Sequence, residues 1–255
     1  MNPSTTQNRV GSIAFRVLAI VFWFALWEIA ARIIDTRFIF PAFSDVIVSL
    51  ARGFIDSTFW TTILMSILRI VTGFLIGGII AVITALFSLY KPIYYLVQPL
   101  VTITRSTPVA SFIMIFWLLV GEPVIPSLIA LLMVFPVVWE SAYTAAANPP
   151  KELLEVADVF RFSQRRRLLY VTMPTMLKAT LPSVITASGL AWKAGVAAEI
   201  ITYTKYSIGR NISEAKNALE GADMFSWTAV VVLLSLAVEW IIKRYTRRVA
   251  RIWEY

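Results

Sequence analysis

Few residues of this sequence could carry out covalent chemistry. The 255 residues include no Cys and no His, which removes thiol nucleophiles, thiolate zinc sites and imidazole general bases. The motifs G-x-x-x-x-G-K-[ST], G-x-S-x-G and H-E-x-x-H are absent, and the acidic residues are scattered along the chain. We therefore predict that the chain has no catalytic residue, no metal site and no cofactor of its own.

The chemically distinctive residues are charges placed inside apolar stretches. Arg105 follows a long apolar run and precedes Pro108, where we expect the helix to break. Lys193 and Glu199 lie beside Trp192 in a later run. A charge at mid-bilayer costs about 2.5–3.5 kcal/mol on insertion scales, so such groups usually face protein or water. If these runs span a membrane, all five residues are candidates for lining a polar pathway.

Each of these charges also has a purely structural interpretation, and the sequence leaves both open. The planar guanidinium of Arg105 suits a carboxylate, sulfonate or nitrate ligand, but it could equally pair with Glu199 or Glu140 on a neighbouring span. Lys193 and Glu199 are six residues apart, so they point to different faces of a straight helix, and either could form an interhelical pair. Arg69 could simply extend its side chain so that its charge lies at the membrane–water interface on the outer side.

The elements that must position these charges are membrane spans. Hydrophobic residues make up 58% of the chain and charged residues 15%, with a mean hydropathy of +0.75, whereas soluble domains are about half apolar and a quarter charged. A spanning helix needs roughly 20 mostly apolar residues. We predict a single domain, residues 1–255, folded as an all-α polytopic transmembrane helix bundle with six spans: 13–34, 59–89, 92–119, 124–147, 176–203 and 225–243.

The basic residues predict the orientation of these spans and the nature of the surface around them. Fourteen Lys and Arg residues fall on the side that carries both termini, and six fall on the other side. Because cytoplasmic loops carry the excess of Lys and Arg, both termini and the loop 148–175 are predicted to be cytoplasmic, and 205–224 to be outside. The net charge is +8, and the basic residues responsible for it mostly flank apolar runs. We therefore expect these residues to face the lipid bilayer, and we expect no nucleic-acid partner.

Two local patterns predict packing details. The segment 41–54 begins at Pro41 and carries Ser44-Asp45 as a capping signal, which is typical of a short helix that lies at the membrane interface. Gly73 and Gly77 form a G-x-x-x-G pattern, which favours close approach of two helices.

The loop 148–175 predicts a cytoplasmic protrusion. Prolines 149 and 150 and the acids that follow them are helix-start signals, and Leu153, Ala157 and Phe160 recur at helical spacing. The helix is too short and too charged to span, and Ser163 can cap a second helix that ends before Pro174. Two interpretations follow: an amphipathic connector that rests on anionic lipid, or a docking element for a cytoplasmic partner.

The same loop carries a family resemblance. Residues 155–163, EVADVFRFS, followed by Met173-Pro174, resemble the "EAA" loop of binding-protein-dependent ABC importer permeases. Glu155 and Ala157 match that pattern. Arg161 stands where the family normally has Gly, so we expect the turn to differ there, because Gly readily takes positive φ and Arg does not.

Further segments resemble the same family in the same order along the chain. They are FPAFSDV at 40–46 (family LPSPSDV), SILRIVTGF at 66–74 (SLxRVxxGF), RSTPVA at 105–110 (RPIPPLA) and AWKAGVAAE at 191–199 (AWxxxVxAE). The resemblance covers roughly residues 38 to 203 and is closest to the nitrate, sulfonate and taurine branch, which also includes transporters of vitamin precursors.

The resemblance implies a function and a set of partners. It implies a type I ABC importer permease in a prokaryotic inner membrane, in which two permease chains, here most simply a homodimer, form the pore. A cytoplasmic ATPase dimer would bind the ATP, and an extracytoplasmic binding protein would deliver a small anionic or zwitterionic solute or a vitamin precursor. The ATPase-coupling residues carried over are Glu152, Glu155, Ala157, Asp158, Phe160, Arg161 and Ser163.

Two other classes of function remain at this stage. One is a secondary transporter that an ion gradient drives through the intramembrane acids and bases. The other is an intramembrane enzyme or a membrane scaffold. The ordered motifs and the cytoplasmic protrusion favour the importer permease, because a secondary transporter has no ATPase to dock.

Overall fold

The structure is a computed structural model of the chain, and it describes residues 4–36 and 38–252, with side chains for 15–36 and 38–248. Arg37 and the side chains of Arg9 and Arg251, which contribute to the count of basic residues, lie outside these ranges. Within the described ranges all regular secondary structure is helical, which confirms the all-α prediction.

Eleven helices follow one another along the described chain. They are α1 Ser4–Ile34, α2 Phe43–Ile55, α3 Ser57–Phe87, α4 Lys91–Ser106, α5 Val109–Leu119, α6 Ile125–Ala147, α7 Lys151–Val159, α8 Gln164–Arg167, α9 Met173–Thr202, α10 Ile208–Asn217 and α11 Gly221–Ile252. A 3₁₀ turn, Glu122–Val124, leads into α6, and a π-helical turn, Leu168–Thr172, joins α8 to α9.

Five stretches of the described chain are long and apolar enough to cross a membrane. They are Phe15–Ile34, Ser57–Phe87, Glu122–Ala147, Gln164–Thr202 and Gly221–Arg248. The predicted third span, 92–119, is not one helix, because α4 and α5 form an apolar pair bent by 109° around Thr107 and Pro108. The break at Pro108 agrees with the missing amide donor there, and counting the bent pair as one span gives the predicted six.

Contacts of α6 locate the two ends of the bent pair relative to this helix. The Thr204 hydroxyl donates to the Glu122 carbonyl (3.4 Å), so the start of α6 lies beside the segment after α9. The Trp139 indole donates to the Ser88 hydroxyl (3.3 Å), so the start of α4 lies beside the later part of α6. Trp139 is about 20 Å further along the α6 axis than Ile125, at 1.5 Å per residue. The α4–α5 pair therefore begins near one end of α6 and finishes at the other.

The second helix predicted for the loop 148–175 differs from its prediction. We expected a helix that starts at Ser163 and ends before Pro174, but α8 runs through the π-helical turn directly into α9, as one helical stretch from Gln164 to Thr202. Pro174 is the second residue of α9 and lies inside this stretch, where it lacks the N–H of a helical hydrogen bond. The π-helical turn Leu168–Thr172 directly before α9 has the wider i→i+5 pattern, which accommodates the proline.

The short helix α2 forms over the predicted segment, but another residue caps it. Ala42 is the N-cap and offers no side-chain acceptor. The Glu28 carboxylate of α1 instead accepts from the Ser44 amide and from the Ser44 hydroxyl, both at 3.0 Å. At the other end of α2, Asp56 accepts from the amide and hydroxyl of Thr58, and these bonds lower the pKa of Asp56.

Helices α3, α6 and α9 pack through small residues and enclose much of the buried core. The core between them includes Val134, Val138, Met176 and Trp192, each at most 2% exposed. A Cβ on Gly73 would lie 2.0 Å from the Ser127 carbonyl oxygen of α6, and one on Gly77 would lie 2.9 Å from that of Leu131. This confirms that the G-x-x-x-G pattern marks a close helix contact.

The described residues form two compact units. One consists of those in 1–60 and 211–230 and is rich in aromatic contacts, such as Trp27 with Phe225 and Phe59 with Trp227. The other consists of those in 61–210 and 231–255 and contains the charged residues discussed below.

Substitution of Gly73 by Ala is expected to destabilise the protein by about 1–3 kcal/mol, because the added methyl group would overlap the α6 backbone. Gly78→Ala on the same helix is the matched control, since its nearest neighbour atom lies 4.0 Å away. Thermal unfolding of the purified variants in detergent measures the difference. Equal midpoints for the two variants would contradict the close contact.

Candidate functional site

The first candidate site is the short helix α7 and the turn that ends it. Its start has the prolines and acids that favour an N-terminus, with Glu152 in the first turn. At its end the Phe162 amide donates to the Ala157 carbonyl (2.8 Å) and the Arg161 amide to the Asp158 carbonyl (3.0 Å). This pair of bonds is the Schellman motif, which requires a left-handed residue just after the helix.

Arg161 is that left-handed residue, with φ of 48°. The expectation that Arg would change the turn is therefore wrong: Arg161 adopts the conformation that Gly would adopt most easily. For a residue with a Cβ, this conformation costs roughly 1–2 kcal/mol relative to the right-handed region. The helix-terminating bonds of α7 hold it there.

The ATPase-coupling residues predicted from the family resemblance lie together on this protrusion. Glu152, Glu155, Asp158, Phe160, Arg161 and Ser163 are exposed, and Ala157 is buried at 1%. The Ser163 hydroxyl accepts from the Arg166 amide (3.4 Å), which confirms its predicted capping role. Asp158 forms an ion pair with Arg167, so α7 is attached to α8 as well as to the turn.

The protrusion also presents apolar side chains to solvent. Val159 is 79% exposed and Phe160 69%, and Val156 beside them is half exposed. The helical spacing of Leu153, Ala157 and Phe160 predicts an apolar face on this helix. In the described chain Ala157 is buried, while Val156, Val159 and Phe160 remain available to another surface.

The second candidate site surrounds Glu199, whose side chain is fully buried near the C-terminal end of α9. Its Oε2 atom accepts from the Ser66 hydroxyl (2.9 Å) and from the Gly209 amide (3.2 Å). Its Oε1 atom lies 3.9 Å from Arg69 Nη1 and has no hydrogen-bond partner among the described residues. The Ser66 oxygen in turn accepts from the Ile208 amide (3.0 Å).

Arg69 does not simply snorkel to an interface. Its side chain is 17% exposed, and it donates to the carbonyls of Lys205 (2.9 Å) and Tyr206 (3.0 Å) while it pairs with Glu199. The guanidinium therefore holds the backbone between α9 and α10, where Tyr203 and Tyr206 both have positive φ. Glu199 is thus an interhelical partner of Arg69, and its alternative pairing with Arg105 is not present.

A close backbone approach completes the Glu199 site. A Cβ on Gly209 would lie 2.5 Å from the Glu199 Cβ and from the Ile200 amide nitrogen, so only Gly fits at this position. The sequence alone does not indicate this role for Gly209 or Ser66. Ser66 and Arg69 lie in the segment 66–74 and Glu199 lies in the segment 191–199, and both segments resemble motifs of the same family. This shared resemblance is the sequence signal that could have linked the three residues.

The remaining pathway candidates have separate positions. Arg105 forms an ion pair with Glu140, and both side chains are about half exposed. Lys193 is exposed, whereas Glu199 is buried, which confirms that these two residues point to different faces. Trp192 is 2% exposed and donates its indole N–H to the Val231 carbonyl (3.0 Å), and Pro108 is exposed at the N-terminus of α5.

One known protein family and two named proteins are similar to this chain in sequence. Residues 73–251 match the family described as "Binding-protein-dependent transport system inner membrane component". The taurine transport system permease protein TauC of Escherichia coli is 22% identical over 77% of this chain and 72% of its own length. The bicarbonate transport system permease protein CmpB of Synechococcus elongatus is 28% identical over 75% of this chain and 71% of its own length.

A solved structure has the same fold. It is described as "Crystal structure of an amino acid ABC transporter with histidines", and one of its chains aligns with a TM-score of 0.59 over 80% of this chain and 96% of its own length. At 15% sequence identity, this likeness concerns the fold alone.

Arg161→Gly is expected to raise stability by about 1 kcal/mol relative to Arg161→Ala, because Gly adopts the left-handed conformation without the Cβ penalty. Both substitutions remove the same charge, so their difference isolates the backbone conformation. Denaturant unfolding of the two variants gives this difference. A more stable Ala variant would show that residue 161 does not occupy the left-handed region.

Arg69→Met is expected to destabilise the protein by about 3–5 kcal/mol, because it leaves the Glu199 carboxylate buried without its cation. In a Glu199→Gln background the same substitution should cost at least 1 kcal/mol less, since the amide is neutral. A double-mutant cycle of unfolding free energies measures this coupling. The exposed pair Lys243–Glu239 provides the control cycle, where coupling of about 0.5 kcal/mol is expected. Equal coupling in the two cycles would refute the assigned interaction.

Proposed function

Because the chain belongs to the family of binding-protein-dependent transport system inner membrane components and is thereby an ABC importer permease, we propose that its helix α7 docks a separate ATPase subunit. A permease has to receive the motion that ATP drives in its partner, and this chain lacks a phosphate-binding G-x-x-x-x-G-K-[ST] loop. The observation that carries the proposal is the exposed apolar and acidic surface of α7.

The chemistry of α7 suits a protein partner. Its exposed Val156, Val159 and Phe160 form an apolar patch with carboxylates beside it. Anionic lipid would favour a basic face, whereas Glu152 and Glu155 on α7 would be repelled by such a surface. An apolar centre with a polar rim is typical of a protein–protein interface.

We extend the proposal to location and assembly. The bent pair α4–α5 supports an even number of crossings, so the two termini lie on one side, and the excess of basic residues assigns that side to the cytoplasm of a prokaryotic cell. Two copies of the chain would form the pore, with an ATPase dimer below them that binds the ATP. An extracytoplasmic binding protein would supply the substrate.

For the substrate we propose a small anionic or zwitterionic solute. One relative is named for taurine transport and another for bicarbonate transport. Taurine and bicarbonate are both small charged solutes. The exposed Arg105–Glu140 pair is the feature of this chain that could contact such a solute.

Glu155→Lys should reduce co-purification of the ATPase about tenfold or more, because it reverses a charge in the docking surface. The assay purifies this chain from membranes of the source cell and quantifies the bound protein that carries a G-x-x-x-x-G-K-[ST] loop. Glu220→Lys is the matched control, since Glu220 is also an exposed acid and lies on the predicted outer side. Normal ATPase recovery and normal uptake with Glu155→Lys would refute the docking role of α7.

The proposed orientation can be tested in the natural cysteine-free background. A cysteine at exposed Ser163 should react with an impermeant thiol reagent only after the membrane is opened, and one at exposed Lys205 should react in intact cells. Labelling of Ser163→Cys in intact cells would overturn the assigned orientation.

A further inference from the structure

An elongated apolar groove lies between α3, α9 and α11. Its volume is about 410 Å³, and its lining residues all belong to the unit that consists of 61–210 and 231–255. On α3 the lining reaches from Ile67 to Leu75, and on α11 from Leu234 to Ile242. Each of these stretches is about 12 Å long at 1.5 Å per residue. The groove therefore runs along two helices that are each long and apolar enough to cross a membrane.

The lining offers no free side-chain hydrogen-bond donor to a ligand. Ser188 and Trp192 are the described lining residues with polar side-chain atoms. The Ser188 hydroxyl donates to the Ile185 carbonyl (2.7 Å), and the Trp192 indole donates to the Val231 carbonyl (3.0 Å). A polar molecule would lose its hydrogen bonds to water in the groove without replacement, whereas a hydrocarbon chain has none to lose. The groove therefore selects an apolar occupant.

The face of α11 that lines the groove becomes basic one turn further on. Arg244, Tyr245 and Arg248 follow Ile241 by three, four and seven residues, so they continue the same face of the helix. All three are exposed. An apolar groove thus ends at two guanidinium groups, which matches a molecule with an apolar tail and an anionic head.

The neighbouring Lys243 differs from both arginines in position and in partner. It follows Ile241 by two residues, so it lies on the opposite side of α11, and it pairs with Glu239. Within the described ranges Arg244 and Arg248 have no carboxylate partner, and the Arg244 guanidinium lies 5.5 Å from the centre of the Trp240 ring. The charges at the end of the groove are therefore not neutralised by an acid of the described chain.

From this arrangement we propose that the groove binds one acyl chain of an anionic phospholipid, whose phosphate is bound by Arg244 and Arg248. Guanidinium groups suit phosphate because they offer planar paired donors. Trp240 and Tyr245, both more than 60% exposed, are of the residue types that are enriched where lipid headgroups lie. Basic residues at the end of a span attract anionic lipid. The lipid would be a resident component of the protein, so the inference goes beyond the proposed function and depends on neither the solute nor the ATPase.

The direct test compares dioleoyl phosphatidylglycerol with dioleoyl phosphatidylcholine, which have the same acyl chains and differ in headgroup charge. Native mass spectrometry of the purified full chain in detergent measures how tightly the first molecule of each lipid binds. We expect phosphatidylglycerol to bind about tenfold more tightly, because the choline group cancels the attraction of the phosphate to the arginines. Equal binding of the two lipids would overturn the proposal.

Single substitutions at the basic end assign the headgroup. Arg244→Gln and Arg248→Gln should each weaken binding of the first phosphatidylglycerol about fivefold, since each removes one cation from the phosphate. Lys243→Gln is the matched control, because it removes the same charge on the opposite side of α11, and it should leave this binding unchanged. An equal loss in all three variants would show unspecific attraction to the basic segment and would refute the site.

A substitution inside the groove assigns the acyl chain. Ala237 is an exposed lining residue, so the ring of Ala237→Phe would occupy part of the groove. It should weaken binding of the first phosphatidylglycerol about tenfold, as the loss of roughly two buried methylene groups would. Leu233→Phe, at an exposed position of α11 outside the lining, is the control and should have no effect. Undiminished binding in Ala237→Phe would show that the groove does not hold the lipid.

A second copy of the chain is the competing occupant of the groove. Ile241 is 45% exposed in the lining, so a cysteine there reports on contact between copies in the natural cysteine-free background. We expect Ile241→Cys to stay monomeric on non-reducing gels after oxidation of native membranes. A disulfide between two copies would show that protein covers this face and would overturn the lipid site, whatever the ATPase assay shows for α7.

Discussion

The buried carboxylate of Glu199 is the constraint from which much of the membrane-spanning architecture follows. In an apolar surrounding an ionised group must be paired and hydrogen-bonded, because water cannot compensate it. The Ser66 hydroxyl and the Gly209 amide donate to one oxygen of this carboxylate, and the Arg69 guanidinium lies 3.9 Å from the other. Since these groups come from α3, from the start of α10 and again from α3, a single carboxylate of α9 holds three chain segments together.

The same interaction specifies the unusual backbone after α9. Arg69 donates to the carbonyls of Lys205 and Tyr206, and Tyr203 and Tyr206 take left-handed conformations that position those carbonyls. Conformations of this kind persist where the surrounding contacts over-determine them. From Glu199 the helical stretch reaches back without a gap in regular structure to Gln164, beside the α7 protrusion. One helical stretch therefore joins the buried ion pair to the surface that we assign to the ATPase, and the π-helical turn is the irregular point along it.

Local rules recovered much of the fold from the sequence. Apolar runs predicted the crossings, Pro108 the break between α4 and α5, Ser163 a helix cap, and the Gly73–Gly77 pattern a close contact. Each of these depends on neighbours within a turn or on helix periodicity. The features that the sequence did not reveal depend on residues far apart in the chain: Glu28 caps α2 from 16 residues away, and Arg69 and Ser66 meet Glu199 across more than 100 residues. The left-handed Arg161 was missed because the statistical preference for Gly there is weaker than the bonds that end α7.

The central claim is that the exposed surface of α7 docks an ATPase and does not rest on lipid. It is tested most directly by a photo-crosslinking amino acid at Val159, the most exposed apolar position of α7, introduced into the full chain in living cells. We predict a covalent adduct with a protein that carries a G-x-x-x-x-G-K-[ST] loop, identified by mass spectrometry, and no such adduct when the same amino acid replaces Leu219 on the predicted outer side. Adducts at position 159 with lipid alone would contradict it.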